Sequence, residues 1–372
     1  MLFSLKKTSY QPCGSPGKDA WIKLKKNKLA FYSIYFVLII SIVCILGYLI
    51  CPDPTPMANR QFLELAAKKS GFTVEMLRIK KQKQIENHSI FYRMLFGQED
   101  VFDLLPVNGI KETGGSVVAS AYSEIPNEQS REITFSKSSL AAENYSVTKT
   151  FWLGSDRFGR DELSQLIIGA RISLSVGFIA VAISLLIGLL FGALAGYFRG
   201  WADEIIMWII NVVWSIPTLL LVIAITFALG RGFWQVFVAV GLTMWVEVAR
   251  VVRGQILSIR EKEYIEATLA MGFSHSRIIY RHILPNVISP VIVISAANFA
   301  SAILIEAGLS FLGIGVQPPT PSWGSMIREN YSYLILDAAH LALLPGLAIM
   351  LMVLAFMLIG NGLRDALDVK TS

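Results

Sequence analysis

The chain has 372 residues, of which 54% are hydrophobic and only 16% are charged. This balance excludes an ordinary soluble globular protein and predicts an integral membrane protein. The formal net charge of +6 does not indicate nucleic-acid binding, because the basic residues lie beside apolar runs and form no patch with interleaved aromatic residues. Cys13, Cys44 and Cys51 have neither metal-ligand spacing nor a redox motif, so no disulfide framework is expected.

The first predicted element is a membrane span at residues 29–50, which follows a basic segment at residues 1–28. An apolar run of this length forms a helix of about 30 Å, long enough to cross a bilayer. Since basic residues stay on the cytoplasmic side of a span, the preceding lysines predict a cytoplasmic N-terminus. These lysines are Lys23, Lys25, Lys26 and Lys28.

Residues 51–150 are polar and are expected on the extracytoplasmic side, because they follow the first span. Their Ser, Thr and Gly content and short β-prone runs, such as 131–135, predict a small domain that contains β-structure or is partly ordered. One alternative is a membrane-anchored receptor or enzyme whose active part is residues 52–150. It ranks last, because the segment lacks a recognisable catalytic set.

A second span is predicted within residues 172–197. Before it, residues 151–171 mix charged and apolar side chains, which favours an amphipathic segment at the outer membrane interface. Gly188, Gly192 and Gly196 recur at every fourth position of the span. Such a stripe of small residues lets a second helix approach closely, so we interpret it as a helix-packing surface.

The third predicted span, residues 205–229, is interrupted by Pro217, which removes a helical hydrogen bond and predicts a kink. A kink of this kind lines the pathway in some transporters, and a simple packing irregularity is the alternative. The fourth span, residues 233–252, contains Glu247. A proton relay is one interpretation, but the nearby Arg250 and Arg253 favour a paired or snorkelling carboxylate.

Between the fourth and fifth spans, residues 258–285 form the longest strongly charged, helix-forming segment of the C-terminal half. Ser258 and Glu261 match a capping box, which predicts a helix start at Ser258. Gly272 then suits a left-handed C-cap. Ser274 is placed to cap a second short helix that ends before Pro285. The pattern therefore predicts two short helices with a bend between them.

The two short helices carry apolar stripes that require a surface to pack on. The first stripe contains Ile265 and Leu269, and the second contains Ile278, Ile279 and Ile283. One interpretation is an amphipathic loop that rests on lipid headgroups. The other is a protruding lever that fits a groove of a soluble partner.

The fifth span is predicted at residues 287–309, with Glu306 near its outer end. Residues 310–327 contain three prolines and three glycines, which favours an outer loop or a re-entrant cap over a cavity. The last span is residues 341–360, and residues 363–372 form a tail. Six crossings place both termini in the cytoplasm.

The Lys and Arg residues of the short loops provide a check on this topology, because cytoplasmic loops are enriched in them. The basic residues of the inner loops outnumber those of the outer loops. The inner set is Arg250, Arg253, Arg260, Lys262, Arg277 and Arg281, and the outer set is Arg231 and Arg328.

The chain carries no G-x-x-x-x-G-K-[ST] phosphate loop, so it is not expected to bind or hydrolyse ATP. It also lacks the H-E-x-x-H and G-x-S-x-G motifs, and no catalytic residue is predicted. His275 and His282 lie two helical turns apart, but a lone pair of this kind is a weak indication of a metal site. No metal or cofactor is therefore expected on this chain.

The segment 258–285 resembles the signature of binding-protein-dependent ABC importer permeases, written E-A-A, three residues, G, nine residues, I, one residue, L-P. The matching residues are Glu266, Ala267, Gly272, Leu284 and Pro285. Thr268 replaces the second alanine, and His282 occupies the isoleucine position, as is common in the peptide-transport branch. The stretches FWLGSDRFGRDELSQLIIGARISLSVG and SFLGIGVQPPTPSWGSMI are similar to the second permease subunit type of dipeptide and oligopeptide transporters.

This resemblance implies an all-α integral membrane protein with six transmembrane helices, in the type I ABC importer permease fold, with an extracytoplasmic insertion after the first helix. Residues 172–362 would form the core permease domain with five of the helices. The implied function is a permease subunit of an ATP-driven importer of dipeptides or oligopeptides in the bacterial inner membrane. In the family, the short helices around the glycine seat in a groove of the ATPase subunit, so the five signature residues would be its coupling residues.

The partners implied by the resemblance are a second permease subunit, two cytoplasmic ATPases that bind the ATP, an extracytoplasmic solute-binding protein and membrane lipid. Two alternatives stay open. One is an ion-coupled secondary peptide carrier in which Glu247 and Glu306 bind protons; the absence of a clear inverted repeat speaks against it. The other is an ABC permease for another solute, such as a nickel chelate.

Overall fold

The computed structural model describes residues 16–82, 85–123, 131–141, 144–230 and 232–367. Several features singled out in the sequence lie outside these described residues. They are the first 15 residues of the N-terminal segment with Cys13, the outer-loop Arg231, and residues 368–372 of the predicted tail.

The described chain is mostly helical. Its α-helices, in chain order, are α1 Pro16–Lys26, α2 Lys28–Ile45, α3 Gly47–Ile50, α4 Ile90–Phe96, α5 Glu162–Phe198, α6 Gly200–Ser215, α7 Thr218–Leu229, α8 Phe233–Arg260, α9 Glu263–Ala270, α10 His275–Ile278, α11 Leu284–Phe311, α12 Trp323–Asn330 and α13 His340–Leu367.

Five helical stretches of the described residues are long and apolar enough to cross a membrane. They are α2, α5, α8, the stretch His275–Phe311 that contains α10 and α11, and α13. A sixth candidate is the pair α6 and α7, which is bent by 97°. The predicted number of six spans is reached when this bent pair is counted as one span.

The bend between α6 and α7 is much sharper than the kink predicted at Pro217. Ile216 and Pro217 both have extended backbone angles, with ψ of 129° and 125°, so α6 ends at Ser215 and a new helix begins at Thr218. Proline disfavours helical geometry in the residue before it and supplies no N–H of its own. Pro217 therefore breaks the third span into two helices.

The amphipathic segment predicted at residues 151–171 is not a separate element. Helix α5 begins at Glu162 and runs without a break into the predicted second span. Asp161 caps it, since the Asp161 carboxylate accepts a hydrogen bond from the Ser164 backbone N–H at 2.8 Å. No proline interrupts residues 162–198, so the mixed charged and apolar residues form the first turns of a long helix.

A five-stranded antiparallel sheet lies between α3 and α5 in the chain, with the strand order β4-β3-β2-β1-β5. The strands are β1 Phe72–Lys80, β2 Phe102–Thr113, β3 Ser116–Ala121, β4 Glu132–Ser136 and β5 Ser146–Phe151. The β-prone run at residues 131–135 corresponds to β4. The chain is therefore mostly helical and not all-α, because the all-α description fits the membrane part alone.

A buried charge cluster joins the sheet region to the membrane helices. The Arg160 guanidinium is 4% exposed and pairs with Asp156 at 2.5 Å, and it also donates to the carboxylate of Glu329 in α12. Nearby, the Ser164 hydroxyl of α5 accepts a hydrogen bond from the Asp53 backbone N–H at 2.9 Å. Buried charges are stable only when they are paired, so this cluster holds the segment before α5 firmly against α12.

Candidate functional site

The charged segment 258–285 consists of the end of α8, the short helices α9 and α10, and the start of α11. The predicted helix start at Ser258 is wrong, because α8 continues through Arg260. The chain turns at Lys262, whose ψ of 137° is extended. Ile259 and Ile265, which lie on either side of this turn, are both buried in one apolar cluster.

Gly272 ends α9 in a left-handed conformation with a φ of +78°. The Gly272 N–H bonds the Leu269 carbonyl at 2.9 Å, and the Phe273 N–H bonds the Thr268 carbonyl at 3.2 Å. This is the Schellman arrangement that glycine favours at a helix end. A Cβ at Gly272 would meet no atom within 4 Å, so a substitution there is disfavoured by backbone conformation alone.

The second short helix differs from its prediction. The Ser274 side chain makes no capping hydrogen bond, although the residue stands at the start of α10. Beyond Ile278 the chain makes a π-helical turn and joins α11, so it does not end before Pro285. Proline is tolerated here because it lies in the first turn of α11, where its missing N–H has no partner to lose.

The isoleucines of the segment face the protein and not a partner. Ile265, Ile278 and Ile283 are completely buried, in a cluster with residues of α5, α8 and α11. Leu269, which the sequence places on the same stripe as Ile265, is 38% exposed. The buried residues therefore fix the segment to its own spans.

The outer surface of the segment contains most of the signature residues. Glu266, Ala267, Gly272 and Pro285 are exposed, and Leu284 is half-buried. Large apolar side chains that the sequence did not single out are exposed beside them: Tyr264, Met271 and Tyr280. No signal in the sequence identifies these three, because it does not show which apolar residues the neighbouring spans cover.

The segment is tied to neighbouring spans by polar contacts. The Tyr197 hydroxyl at the end of α5 lies 2.7 Å from Nδ1 of His275 in α10. The Arg260 guanidinium donates to the Tyr197 carbonyl oxygen. Near these residues, Arg253 of α8 pairs with Asp203 of α6, with 2.6 Å between Nη2 and Oδ2. The ends of α5, α6 and α8 therefore form one connected base for the segment.

The glycine stripe of α5 faces α8. A Cβ on Gly188 would lie 2.5 Å from Val248 Cβ, one on Gly192 would lie 2.6 Å from the Ala249 carbonyl oxygen, and one on Gly196 would lie 2.9 Å from Ile256 Cβ. Real Cβ atoms do not approach so closely, so the two backbones are in contact along the stripe. This contact places α5 and α8 side by side above the charged segment.

A cavity of about 320 Å³ opens where α6 and α7 bend. Its walls come from α6, α7, α8, α11 and the break between α6 and α7. The lining residues are Val213, Trp214, Ile216, Thr218, Leu221, Thr243, Met244, Val246, Glu247, Ser301, Leu304 and Ile305. The residues on either side of Pro217 belong to this set, so the break creates part of the cavity wall.

Among the residues that the structure describes, Glu247 is the only charged one that lines this cavity, and it is exposed. The pairing expected between Glu247 and the nearby arginines is not found. The Arg250 guanidinium donates a hydrogen bond to the Asn211 side chain at 2.8 Å and lies 3.5 Å from the ring centre of Trp214. Arg253 pairs with Asp203 of α6. The reason is geometric, because α6 packs on the arginine side of α8 and offers these partners.

Glu306 does not share a site with Glu247. It is completely buried and accepts hydrogen bonds from the Ser173 hydroxyl at 3.1 Å and the Ser310 hydroxyl at 2.7 Å. A buried carboxyl group needs such partners. It joins α5 to the end of α11, while Glu247 faces the cavity. Within the described residues, no group of three or more His, Cys, Asp or Glu side chains is arranged to hold a metal ion.

Two family models match this chain. Residues 188–372 match the family described as "Binding-protein-dependent transport system inner membrane component". Residues 15–66 match the "N-terminal TM domain of oligopeptide transport permease C".

Two curated relatives have similar sequences. The glutathione transport system permease protein GsiD of Pectobacterium atrosepticum is 44% identical over 227 residues, which cover 61% of this chain and 75% of that protein. The dipeptide transport system permease protein DppC of Alkalihalophilus pseudofirmus is 43% identical over 219 residues, which cover 59% of this chain and 72% of that protein.

Among solved structures, a chain of the inward-facing MetNI methionine ABC transporter has a TM-score of 0.46 and 20% identity, covering 54% of this chain and 96% of that chain. The family match and the two curated relatives confirm the resemblance seen in the charged segment. This chain belongs to the family of binding-protein-dependent transport system inner membrane components, and it is a multi-pass inner-membrane permease with the type I ABC importer permease fold and not the ATPase of the system.

Proposed function

We propose that the chain forms half of the translocation pathway of an ATP-driven importer of dipeptides or oligopeptides. The observation that carries this proposal is the segment 258–285, whose signature residues Glu266 and Gly272 are exposed while its isoleucines bind it to its own spans. A rigid element with an exposed apolar and charged surface is suited to contact another protein. The names of the relatives, which are dipeptide and glutathione permeases, support a peptide substrate.

The partners in this proposal are a second permease subunit, two cytoplasmic ATPases and an extracytoplasmic solute-binding protein. The permease family and the exposed segment support the first two, since half a pathway needs a second wall and the segment needs a protein to contact. ATP would be bound by the ATPases, because this chain lacks a phosphate loop. The five signature residues would form its coupling surface.

In the proposed topology, both termini lie in the cytoplasm and the sheet lies on the extracytoplasmic side. The lysines before α2 support a cytoplasmic N-terminus. Basic residues around α9 and α10 support the same side for the segment 258–285. By contrast, residues 312–339, between α11 and α13, contain a single basic residue, Arg328 of α12. An even number of crossings, with α6 and α7 as one span, then returns the C-terminus to the cytoplasm.

The coupling mechanism follows from the contacts of the segment. When the ATPases close on ATP, they would move α9 and α10 as one body, because the bend at Gly272 is fixed by two hydrogen bonds. The Tyr197 contacts with His275 and Arg260 would pass this movement to α5. The close glycine contact between α5 and α8 would then move both spans together and open or close the cavity beside α8.

In this proposal the cavity at the bend of α6 and α7 is one wall of the substrate pathway. The remaining wall would come from the second permease subunit. Glu247 is placed to attract the positively charged amino group of a peptide. A chelate of nickel is the alternative solute, and selectivity between the two would be set largely by the solute-binding protein.

The test is ATP-dependent peptide uptake by the complete complex in proteoliposomes, with Gly272→Asp as the variant. We expect uptake to fall by about tenfold or more, because the positive φ of Gly272 favours glycine and the new carboxylate lies on the exposed surface proposed to contact the ATPase. Gly254→Asp is the matched control, because Gly254 is exposed in α8, has open space around it and has no positive φ.

The outcomes separate the competing functions. Normal uptake by the Gly272→Asp complex would contradict the coupling role of the segment. Uptake that continues without ATP and stops when the proton gradient is removed would instead indicate an ion-coupled carrier. Uptake of a nickel chelate but not of peptide would change the substrate class and leave the coupling role intact.

A further inference from the structure

Helix α4 carries an apolar surface that no described part of the chain covers. Ile90, Phe91 and Phe96 are 68%, 75% and 57% exposed, and Tyr92 and Leu95 are also exposed. None of the seven residues of α4 is buried. A patch of this density is unfavourable in water, so it needs a cover.

The position of α4 is fixed by its neighbours. The Arg171 guanidinium of α5 donates to the Met94 carbonyl oxygen at 3.1 Å. The Gln98 N–H donates to the Pro54 carbonyl oxygen at 2.9 Å. Gly97 has a φ of +76°, and a Cβ there would lie 2.7 Å from the Pro54 carbonyl oxygen. The helix is therefore held in a defined place beside the end of the first span.

The apolar surface of α4 continues into the exposed faces of two membrane spans. A crevice of about 220 Å³ separates Leu95 from α2 and α5. On α2, Ile42 and Ile45 are each 55% exposed, and on α5 Phe178 is 58% exposed. Large apolar side chains exposed on a spanning helix face lipid or another span. The patch on α4 thus begins where the lipid-facing surface of the spans ends.

We propose that α4 is an interfacial anchor whose cover is the lipid bilayer, in the leaflet at the C-terminal end of α2. Ile90 and Phe91, the two most exposed apolar side chains of α4, enter the boundary between headgroups and acyl chains. Tyr92 and Arg93 lie at the level of the headgroups, where amphipathic aromatic and basic side chains are stable. This proposal rests on the arrangement of α4 beside α2 and α5. It does not depend on the transported substrate or on the ATPase.

Lipid is favoured over a protein partner by the composition of the surface. A protein-docking patch has an apolar centre enclosed by a polar rim. The patch on α4 has no such rim on the side of α2, where Ile45 and Ile50 are more than half exposed. Because Arg171 links α4 to α5, an anchored α4 also holds the connection between β1 and β2 close to the membrane plane.

The test measures the surroundings of residue 91 in the assembled complex in lipid nanodiscs. A nitroxide spin label is attached to Phe91→Cys, and its collision rates with oxygen and with a water-soluble nickel chelate are compared. Ile42→Cys is the lipid reference, and Glu132→Cys on the exposed side of β4 is the aqueous reference. The background carries Cys13→Ser, and Cys44 and Cys51 are buried and should not take the label.

We expect the ratio of oxygen to nickel collisions at residue 91 to approach that at residue 42 and to exceed that at residue 132 by about threefold or more. Ile90→Cys gives a second position with the same expectation, so one badly tolerated variant does not decide the result. A ratio equal to that at residue 132 would show a water-exposed helix and overturn the proposal. Low collision rates with both reagents would show a protein cover and overturn it equally.

Discussion

The Tyr197 hydroxyl and the Nδ1 atom of His275 lie 2.7 Å apart, which joins the last turn of α5 to the first residue of α10. The Arg260 guanidinium donates to the carbonyl oxygen of the same tyrosine. The ends of α5, α8 and α10 thus meet at one residue. A force applied to the short helices reaches a membrane span through this contact.

Tyr197→Phe removes the hydroxyl and keeps the ring, which packs edge-on against His275. A typical hydrogen bond contributes about 1 kcal/mol, so we expect peptide import per ATP hydrolysed to fall by about fivefold. The measurement compares peptide uptake with phosphate release in proteoliposomes that contain the whole complex.

Tyr331→Phe serves as the control for this change, because Tyr331 is exposed and lies far along the chain from the segment 258–285. In a double-mutant cycle, His275→Ala should remove most of the further effect of Tyr197→Phe. Additive losses in the cycle would show that the two side chains do not act through their contact.

Gly192→Ala should separate α5 from α8. Its new Cβ would lie 2.6 Å from the Ala249 carbonyl oxygen and 2.7 Å from Val252 Cβ, and neither atom belongs to a flexible chain end. Overpacking of this kind costs about 1–3 kcal/mol, so the temperature of thermal unfolding in detergent should fall by several degrees.

Gly346→Ala is the matched control for this helix contact. Gly346 lies within α13, and a Cβ there would meet nothing within 4 Å. Alanine should be neutral or stabilise the helix by up to about 1 kcal/mol. Equal destabilisation by both variants would mean that the glycine stripe is not the tight contact described above.

The long apolar runs and the special backbone positions were the features that sequence predicted well. The apolar runs located the spans, and Gly272 was placed in the left-handed C-cap where it is found. Both predictions use local properties, namely hydrophobicity over a window and the conformational freedom of glycine.

Features that depend on tertiary packing were predicted less well. Ser258 fits a capping box but lies inside α8, because the residues before it also favour a helix and nothing stops them. Ile265 and Leu269 share one stripe, yet only the isoleucine is buried. Sequence shows which residues are apolar, but not which neighbour covers them. The same limit hid the sheet order and the exposed surface of α4.

Cys51 gives a prediction about pH. Burial, and secondly the Asp53 carboxylate, raise the pKa of the Cys51 thiol from 9.0 to about 12. At a pH below 9 its thiolate fraction is therefore about a thousandfold smaller than that of an ordinary thiol, and alkylation is correspondingly slow. The rate of iodoacetamide addition, followed by mass spectrometry in detergent, should keep rising with pH above pH 9, where the rate of an ordinary thiol levels off.

The raised pKa of Cys51 also makes the free energy of unfolding depend on pH. The folded state holds the Cys51 proton more tightly than the unfolded state, so this contribution is complete below about pH 9 and is lost as the pH rises towards 12. Cys51→Ala should remove that loss. A thiol introduced by Glu132→Cys, on the exposed side of β4, should react at the ordinary rate. Fast, pH-independent modification of Cys51 would contradict its burial.

Glu247 gives the prediction that addresses substrate recognition. Within the described part of the chain, no other charged residue lines the cavity at the bend of α6 and α7. A hydrogen bond to a charged group contributes about 1.5–3 kcal/mol, so Glu247→Gln should slow import of peptides with a free amino terminus by about tenfold or more. Import of the same peptides with an acetylated amino terminus should change little. Glu204→Gln is the control, because Glu204 is exposed on α6 and does not line the cavity. The measurement is the initial uptake rate of each peptide. An equal loss for free and acetylated peptides would show that Glu247 acts in helix packing and does not contact the amino group of the substrate.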